Sequence, residues 1–256
     1  MRLKGKTALI SGAGRNIGKA IALTFAREGA DLILVAKELG DPLNQVANEC
    51  QKMGVKTLPL LADVGKHEEV NRVARLGLER FGRVDVLVTV AAIRPHKLIW
   101  DYGYDEWSQV FAVNCHSTFY LAKALVPGMI ERRSGSIVAL GALSSLTAVI
   151  PQMAAVTASK HGLYGLIKSL ALDLGPYGVR ANLIAVGAMN TERRNPEWYP
   201  DAVRGDPNIS STEHTKAALR RRGAPQEVAN AALFLASDES SYITGDRISC
   251  VGGRHM

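Results

Sequence analysis

The residues best suited to bind an anion lie at positions 12–18, which read GAGRNIG. The short apolar run before them predicts a buried strand, and the apolar residues after them recur at three- and four-residue steps, as in a helix that ends at Gly29. A turn from a strand into a helix points free backbone N–H groups and the positive end of the helix dipole at one place. The strand before and the helix after therefore favour a pyrophosphate site over glycines that merely form a turn.

Individual residues of this turn have separate expected roles. Gly12 permits the tight turn, and Gly18 lets the helix lie close to the strand. Asn16 stands where a third glycine is expected, and asparagine is the next best residue for a left-handed backbone conformation. The residues of the turn that we expect to bind the nucleotide are Gly12, Arg15, Asn16, Ile17 and Gly18.

The elements that position this turn alternate along the whole chain, since apolar runs are followed by helical patterns. The predicted strands cover residues 7–10, 32–36, 55–62, 84–90, 136–140, 179–186 and 247–251, and the predicted helices cover 17–29, 42–53, 68–80, 105–131, 152–174 and 225–237. The predicted fold class is α/β, a Rossmann-type doubly wound parallel sheet of about seven strands with helices on both faces, in a single domain over residues 1–256. The ligand is expected beyond the carboxyl ends of the strands, and the irregular, charged segment 188–222 is expected to cover it.

Composition narrows the class of protein. The chain has 256 residues, 47% of them apolar, and a net charge of +7. Because the lysines and arginines are scattered, apart from short runs at 193–194 and 220–222, solvated surface and an anionic ligand explain this charge better than nucleic acid does. Cys50, Cys115 and Cys250 lie far apart without a CxxC or histidine pairing, which predicts a reduced, cytoplasmic protein without a metal site. The apolar runs are too short to predict a signal peptide or a membrane span.

Further motifs follow this turn along the chain. They are ADV at 62–64, VN at 113–114, ASKHG at 158–162, RAN at 180–182, Gly187 with Thr191, RGAPQEVA at 222–229, FLASD at 234–238, ITG at 243–245 and GG at 252–253. With these motifs the chain resembles the short-chain dehydrogenase/reductase family nearly from end to end, and within it the members similar to 3-oxoacyl-acyl-carrier-protein reductases. The resemblance implies a nicotinamide dinucleotide cofactor, with Asp63 at the adenine amino group. The other positions outside the turn that it assigns to the cofactor are Lys37, Val64, Ala91, Lys160, Gly187 and Thr191.

The end of the second strand bears on the choice of cofactor. An acidic residue there would accept both ribose hydroxyls and repel a 2′-phosphate, but the strand ends in Ala36 followed by Lys37. Lys37 and Arg15 could converge on a 2′-phosphate, or each could be an ordinary solvated base. We expect NADP(H) rather than NAD(H).

The resemblance also implies catalytic positions, and two of them are substituted. The lysine that binds the ribose is Lys160, and the asparagine of the proton relay is Asn114. The position of the proton-donating tyrosine, four residues before the lysine, holds Val156. Counting from strand five places Ala142 at the serine position, whereas counting back from the lysine places Leu143 there. We expect the reaction to be altered and the cofactor to be retained.

Other residues could replace the missing groups. Ser144 or Ser145 could enter the pocket if the turn carries a small insertion, and His96 follows strand four at the ligand end of the sheet. Lys160 could itself donate a proton if burial lowers its pKa. The weaker candidates for the acid are Thr157, Tyr164, Tyr102 and Tyr104.

Two functions remain open at this point. One is an NADP(H)-dependent oxidoreductase acting on a ketone or alcohol with a non-standard proton source. The alternative is a catalytically silent NADP(H)-binding protein that serves as a sensor or partner subunit. A small-molecule substrate is expected, which Arg193, Arg194, Trp198 and Tyr199 suggest could be acidic or acyl. By resemblance, the helices at 105–131 and 152–174 and the tail after Gly245 form a homotetramer or homodimer.

Overall fold

A computed structural model of the chain describes residues 1–38, 40–148, 150–192 and 217–254. Its centre is a seven-stranded parallel sheet in the order β3-β2-β1-β4-β5-β6-β7. The strands are β1 (Thr7–Ser11), β2 (Asp31–Ala36), β3 (Thr57–Leu61), β4 (Val86–Thr89), β5 (Gly135–Leu140), β6 (Val179–Val186) and β7 (Arg247–Cys250). The strand order reverses direction between β1 and β4, and the crevice at such a switch point is where doubly wound sheets bind ligands.

Helices cover both faces of this sheet. They are α1 (Asn16–Arg27), α2 (Gly40–Gln51), α3 (His67–Phe81), α4 (Tyr104–Phe111), α5 (Ser117–Glu131), α6 (Ala154–Leu174) and α7 (Pro225–Ala236). One π-helical turn, Ala112–His116, joins α4 to α5. The predicted doubly wound α/β fold is confirmed.

The alternation of side chains along a strand builds two separate cores. In β1, Ile10 packs with Phe25 of α1 on one face, while its neighbour Leu9 packs with Leu121 of α5 on the other. All five residues of β1 are buried, as expected for a parallel strand covered on both faces. This explains why the strand reads as a continuous apolar run and not as an alternating one.

The main departure from the sequence-based expectation is the helix predicted over 105–131, which the π-helical turn interrupts. Single π-helical turns insert an extra residue into a helix and occur often at functional sites. Periodicity cannot reveal this insertion, because the apolar stripe resumes after one residue. Most other boundaries shift by one or two residues; β3 and β4 are shorter than predicted, by up to three residues.

Candidate cofactor and active site

A cavity of about 1190 Å³ opens at the carboxyl ends of the strands. Its wall includes the turn between β1 and α1, residues that follow β2, β3 and β4, the start of the turn after β5, and the segment after β6. Pockets for drug-sized ligands occupy about 300–1,000 Å³, so this cavity has room for a dinucleotide and a small second molecule.

The turn between β1 and α1 has the backbone that the sequence predicts. Gly12 has a φ of +67° and Asn16 a φ of +49°, both in the left-handed region. A Cβ on Gly18 would lie 2.0 Å from the Gly12 carbonyl oxygen, so the helix packs against the turn more closely than any side chain allows. The Asn16 side chain also donates to the Glu192 carbonyl oxygen at 2.9 Å and accepts from the Glu192 N–H at 3.1 Å. Asn16 therefore ties the turn to the segment after β6, a contact that the sequence did not predict.

The cavity wall contains every residue that the sequence analysis assigned to the cofactor, with the exception of Lys160. These wall residues are Gly12, Arg15, Asn16, Ile17, Gly18, Lys37, Asp63, Val64, Ala91, Gly187 and Thr191. Asn114 and Lys160, the two expected catalytic residues, lie behind the wall. Most residues expected to contact the nucleotide therefore line the cavity, whereas the two residues expected to take part in the reaction lie behind its wall.

At the nucleotide end, Lys37 and Asp63 form an ion pair with an N–O distance of 2.9 Å. The hydrogen bond to Asp63 raises the pKa of Lys37. Burial opposes ionisation of Asp63, but the hydrogen bonds from Lys37 and from the Gly65 N–H outweigh it and lower the pKa of this carboxyl. Both groups are therefore charged at neutral pH. Glu38, which the sequence analysis did not consider, also lines this end of the cavity.

At the other end, Lys160 is 4% exposed, and its ammonium donates to the Leu140 carbonyl oxygen at 2.7 Å. Burial lowers its pKa to about 8, Cys115 opposes this shift, and the positive charge of Arg94 adds to it. Lys160 is thus a buried cation that can lose its proton near physiological pH.

Asn114 sits on the π-helical turn and holds the loop after β4. Its amide nitrogen donates to the Ile93 carbonyl oxygen at 3.0 Å, and its amide oxygen accepts from the Ile93 N–H at 2.9 Å. The same nitrogen donates to the Ser159 hydroxyl at 3.2 Å. Asn114 thereby fixes the backbone immediately before Arg94.

The surroundings of Val156, at the position where the resemblance predicts the tyrosine, are apolar. Val156 is buried among Val110, Met153 and Ala155, and it does not belong to the cavity wall. A tyrosine at this position would need space that these side chains now fill.

Neither Ala142 nor Leu143, at the position where the resemblance predicts the serine, carries a hydroxyl, but a hydroxyl lies nearby. Ala142, Leu143 and Ser144 all line the cavity. The Ser145 hydroxyl accepts from the Ala142 N–H at 3.0 Å and so stabilises the turn. Ser144 is 3% exposed, and its hydroxyl makes no hydrogen bond within the described part of the chain. Of the two serines that the sequence left open, Ser144 is the one available to a ligand.

The other candidate acids do not line the cavity. The Tyr102 hydroxyl donates to the Pro95 carbonyl oxygen at 3.3 Å, and the Lys168 ammonium covers the Tyr164 ring. Tyr104 is exposed, whereas His96 is buried outside the cavity wall. The residues 193–199, proposed for an acidic or acyl substrate, lie outside the described part of the chain.

Arg94 and Arg254 line the cavity although the sequence predicted neither at the site, and Arg222, the first residue of the motif at 222–229, lines it as well. The position of Arg94 shortly after a strand predicted to end at the ligand was the available signal. No signal in the sequence pointed to Arg254, because its position depends on how the C-terminal tail packs beside β6.

The sheet, the turn and the cavity define a dinucleotide-binding protein of the Rossmann type. The chain belongs to the short-chain dehydrogenase/reductase family: the family model described as Enoyl-(Acyl carrier protein) reductase matches residues 12–255. The 3-oxoacyl-acyl-carrier-protein reductase FabG of Thermotoga maritima is 36% identical over 255 residues, which cover 99% of each chain. The 7alpha-hydroxysteroid dehydrogenase of Escherichia coli is 32% identical over 253 residues, covering 99% of this chain and 95% of that protein.

Among solved structures, carveol dehydrogenase from Mycobacterium avium in complex with NAD has a TM-score of 0.91 and 26% identity, with 99% of this chain and 98% of that chain covered. Separately, no helix within the described ranges has the length and apolar character needed to cross a bilayer. The same part of the chain contains no group of three or more potential metal-ligating side chains.

Proposed function

We propose that the chain is an NADP(H)-dependent oxidoreductase that interconverts a ketone and an alcohol in an active site without the family's tyrosine and serine. The observation that carries this proposal is the continuous cavity, which joins the phosphate-binding turn to Ser144, while the buried Lys160 lies behind its wall. The relatives named as reductase and dehydrogenase support an oxidoreductase of this general type.

The residues of the cavity fit a nicotinamide dinucleotide. The N–H groups of the turn face the place where a pyrophosphate would bind, and a side chain on Gly12 would lie 2.9 Å from the Ala91 nitrogen. When bound, the nicotinamide would exchange a hydride with the carbon of the substrate. Ser144 would donate a hydrogen bond to the substrate oxygen. The positive charge of Lys160, which lies behind the wall, would stabilise an alkoxide there, and its ammonium would supply the proton for that oxygen.

We propose NADP(H) as the cofactor because Ala36, Lys37 and Arg15 meet at one end of the cavity. Ala36 leaves β2 without a terminal acid, and its Cβ would lie 3.8 Å from a Cβ on Gly14, so this corner is narrow. Lys37 keeps its charge through Asp63. A 2′-phosphate bound here would lie beside two cations, Arg15 and Lys37.

Changing Ala36 to aspartate should weaken NADPH binding about tenfold or more relative to NADH, because the new carboxylate would repel the 2′-phosphate and accept the ribose hydroxyls of NADH. Changing Ala36 to asparagine is the matched control, since it adds the same volume without the charge. Dissociation constants for both nucleotides, from fluorescence titration, measure the effect. An unchanged ratio of the two constants in the aspartate variant would count against a 2′-phosphate site at this corner.

A specific observation favours the second candidate, a silent NADP(H)-binding sensor or partner subunit. Lys160 and Asn114 are both bonded to protein groups behind the wall, and the apolar cluster around Val156 occupies the tyrosine position. Such a protein would bind the nucleotide without redox turnover.

One assay separates the two candidates. Purified protein is titrated with NADPH by fluorescence, and oxidation of the nucleotide is then followed with a panel of ketones, aldehydes and β-ketoacyl thioesters. We expect micromolar or tighter binding and turnover of at least one compound. Binding without turnover across the panel would establish the silent protein, and absence of binding would overturn both candidates.

We further propose a homodimer or homotetramer in the cytoplasm. Most of segment 188–222, which the sequence predicts to cover the site, lies outside the described residues. Leu172 of α6 is 80% exposed and Phe119 of α5 is also exposed, which supports an apolar contact between copies. The three cysteines are free thiols, which suits a reducing compartment. A light-scattering mass near one chain, 27.5 kDa, would overturn the oligomer.

A further inference from the structure

Asn16 has a backbone conformation that glycine adopts more readily. Its φ of +49° lies in the left-handed region, which asparagine tolerates when its short polar side chain hydrogen-bonds locally. The Asn16 amide instead bonds to Glu192, 176 residues further along the chain. The conformation of the turn therefore does not explain this side chain, because glycine would give the same turn without the contact.

The contact holds the backbone of Glu192 at two points. The Asn16 amide nitrogen donates to the Glu192 carbonyl oxygen at 2.9 Å, and the amide oxygen accepts from the Glu192 N–H at 3.1 Å. One side-chain amide thus bonds to both polar groups of a single backbone residue, as a paired residue of an antiparallel strand does. The two bonds together set the orientation of this backbone as well as its position.

This contact joins two distant parts of the sheet. Asn16 follows β1, whereas Glu192 follows β6, which lies beyond β4 and β5 in the sheet order and hence across the switch point. The other backbone hydrogen bonds between residues 187–192 and described parts of the chain go to Gly223, which precedes α7, and to Cys250 of β7. Asn16 therefore links this segment to the phosphate-binding turn.

Residues on both sides of the link line the cavity. Lys37 and Asp63 lie at the end expected to bind adenosine, and Thr191 belongs to the wall on the β6 side. Because Thr191 immediately precedes Glu192, the two bonds from Asn16 also constrain the position of Thr191. A dinucleotide that spans a switch point is bound by both halves of the sheet, so its nicotinamide half would lie on the side of Thr191.

We infer that Asn16 is a positioning residue, which holds Thr191 in the cavity wall and so couples the phosphate-binding turn to the site of the nicotinamide half. The position of residues 187–192 and the binding of the dinucleotide then depend on each other, and this coupling acts in both directions. The inference rests on the nucleotide site of the proposed function, but it does not require turnover.

The test compares a whole dinucleotide with a fragment that lacks the nicotinamide half. Calorimetric titration gives the affinities for NADPH and for adenosine 2′,5′-bisphosphate. Changing Asn16 to glycine keeps the left-handed turn and removes both hydrogen bonds. We expect this variant to bind NADPH about three- to tenfold more weakly and the fragment within twofold of the unmodified protein. A defect confined to the structure of the turn would weaken both nucleotides alike.

The matched control is Glu192→Gln, because the contact uses only the backbone of this residue. It should leave the ratio of the two affinities unchanged. Glu192→Pro removes the N–H that donates to Asn16, so it should weaken NADPH selectively, as Asn16→Gly does. The double variant should lose less than the sum of the two single losses, since both changes remove the same contact. Thermal unfolding shows whether each variant is folded, and Glu192→Pro covers the case in which Asn16→Gly is not.

Amide hydrogen exchange over residues 187–192 measures the coupling without any substrate. Bound NADPH should slow this exchange in the unmodified protein by more than in Asn16→Gly, because the segment is linked to the turn only when the Asn16 amide is present. Equal slowing in the two proteins would contradict the coupling.

The results separate this inference from the proposed function. The inference is overturned if Asn16→Gly weakens NADPH and the fragment equally, or if it changes neither affinity. A selective loss of NADPH affinity in a protein that oxidises no NADPH would end the proposed reductase and leave the role of Asn16 standing. Turnover of a ketone together with an equal loss for both nucleotides would do the reverse, and absence of NADPH binding would overturn both.

Discussion

Changing Gly18 to alanine is expected to weaken NADPH binding by about ten- to a hundredfold. The added Cβ would lie 2.0 Å from the Gly12 carbonyl oxygen and 2.7 Å from its carbon. Because these atoms belong to the backbone, no side chain can rotate away, and either the turn or the start of α1 must move. Forced expansion of a packed site typically costs about 1–3 kcal/mol, and the displaced N–H groups would no longer converge on a pyrophosphate.

The measurement is a fluorescence titration with NADPH together with thermal unfolding. Gly103→Ala is the control, because a Cβ at that glycine meets nothing within 4 Å and its residue is not in the cavity wall. Gly103→Ala should bind NADPH normally. Near-normal binding by a folded Gly18→Ala protein would show that the nucleotide does not depend on this turn.

Changing Lys160 to methionine is expected to lower the rate of ketone reduction by about 10²- to 10⁴-fold, the usual contribution of a general acid or a charge at the reacting oxygen. Methionine keeps the length and volume of the lysine without its charge. In the unmodified protein the rate of reduction should fall as the pH rises through about 8, where the buried ammonium loses its proton. Lys168→Met is the control, since Lys168 lies on the exposed side of the same helix. Full activity of Lys160→Met would remove this lysine from the mechanism.

The effect of Lys160→Met on the free energy of unfolding can be measured even if the protein has no enzymatic activity. The pKa of Lys160 is about 8 in the folded protein, against 10.5 ordinarily. Between these two values the unfolded chain binds more protons than the folded protein, so the stability of the unmodified protein should rise with pH across this window. Below pH 8 the lysine is charged in both states, and its burial lowers stability by on the order of 3 kcal/mol.

Lys160→Met should lack this rise. Denaturant unfolding at pH 7.5 and pH 9.5 therefore tests the burial of the charge directly. If both proteins changed equally between the two pH values, Lys160 would not be the source of the dependence, and its ammonium would be solvated in solution.

The fold and the nucleotide end of the cavity could be predicted from sequence because their signals are local. A buried run, a glycine turn and an amphipathic helix follow one another within residues 7–29, and each carries its own periodicity. The left-handed Asn16 was predictable for the same reason, since residue type and backbone conformation are linked at that one position.

The contacts among the other cavity residues could be predicted only in part, because those residues meet through the tertiary fold. The pairing of Lys37 with Asp63 depends on the adjacency of β2 and β3, and the return of Arg254 depends on the packing of the tail beside Gly187. The choice between Ser144 and Ser145 depends on a single hydrogen bond to Ala142. A motif assigns a residue to a segment, but it does not determine which of two neighbours points inward.

The two ends of the cavity differ in whether backbone atoms or side chains form them. The end expected to bind the nucleotide has glycines whose neighbours are main-chain atoms, whereas the end expected to hold the substrate is lined by side chains such as those of Leu143 and Ser144. Substitutions at the second end leave the path of the backbone at the first unchanged. The reaction can therefore change during evolution while the nucleotide still binds. A mutational scan of this chain should show that substitutions of the side chains at the substrate end preserve nucleotide binding, whereas substitutions of Gly12 and Gly18 abolish it.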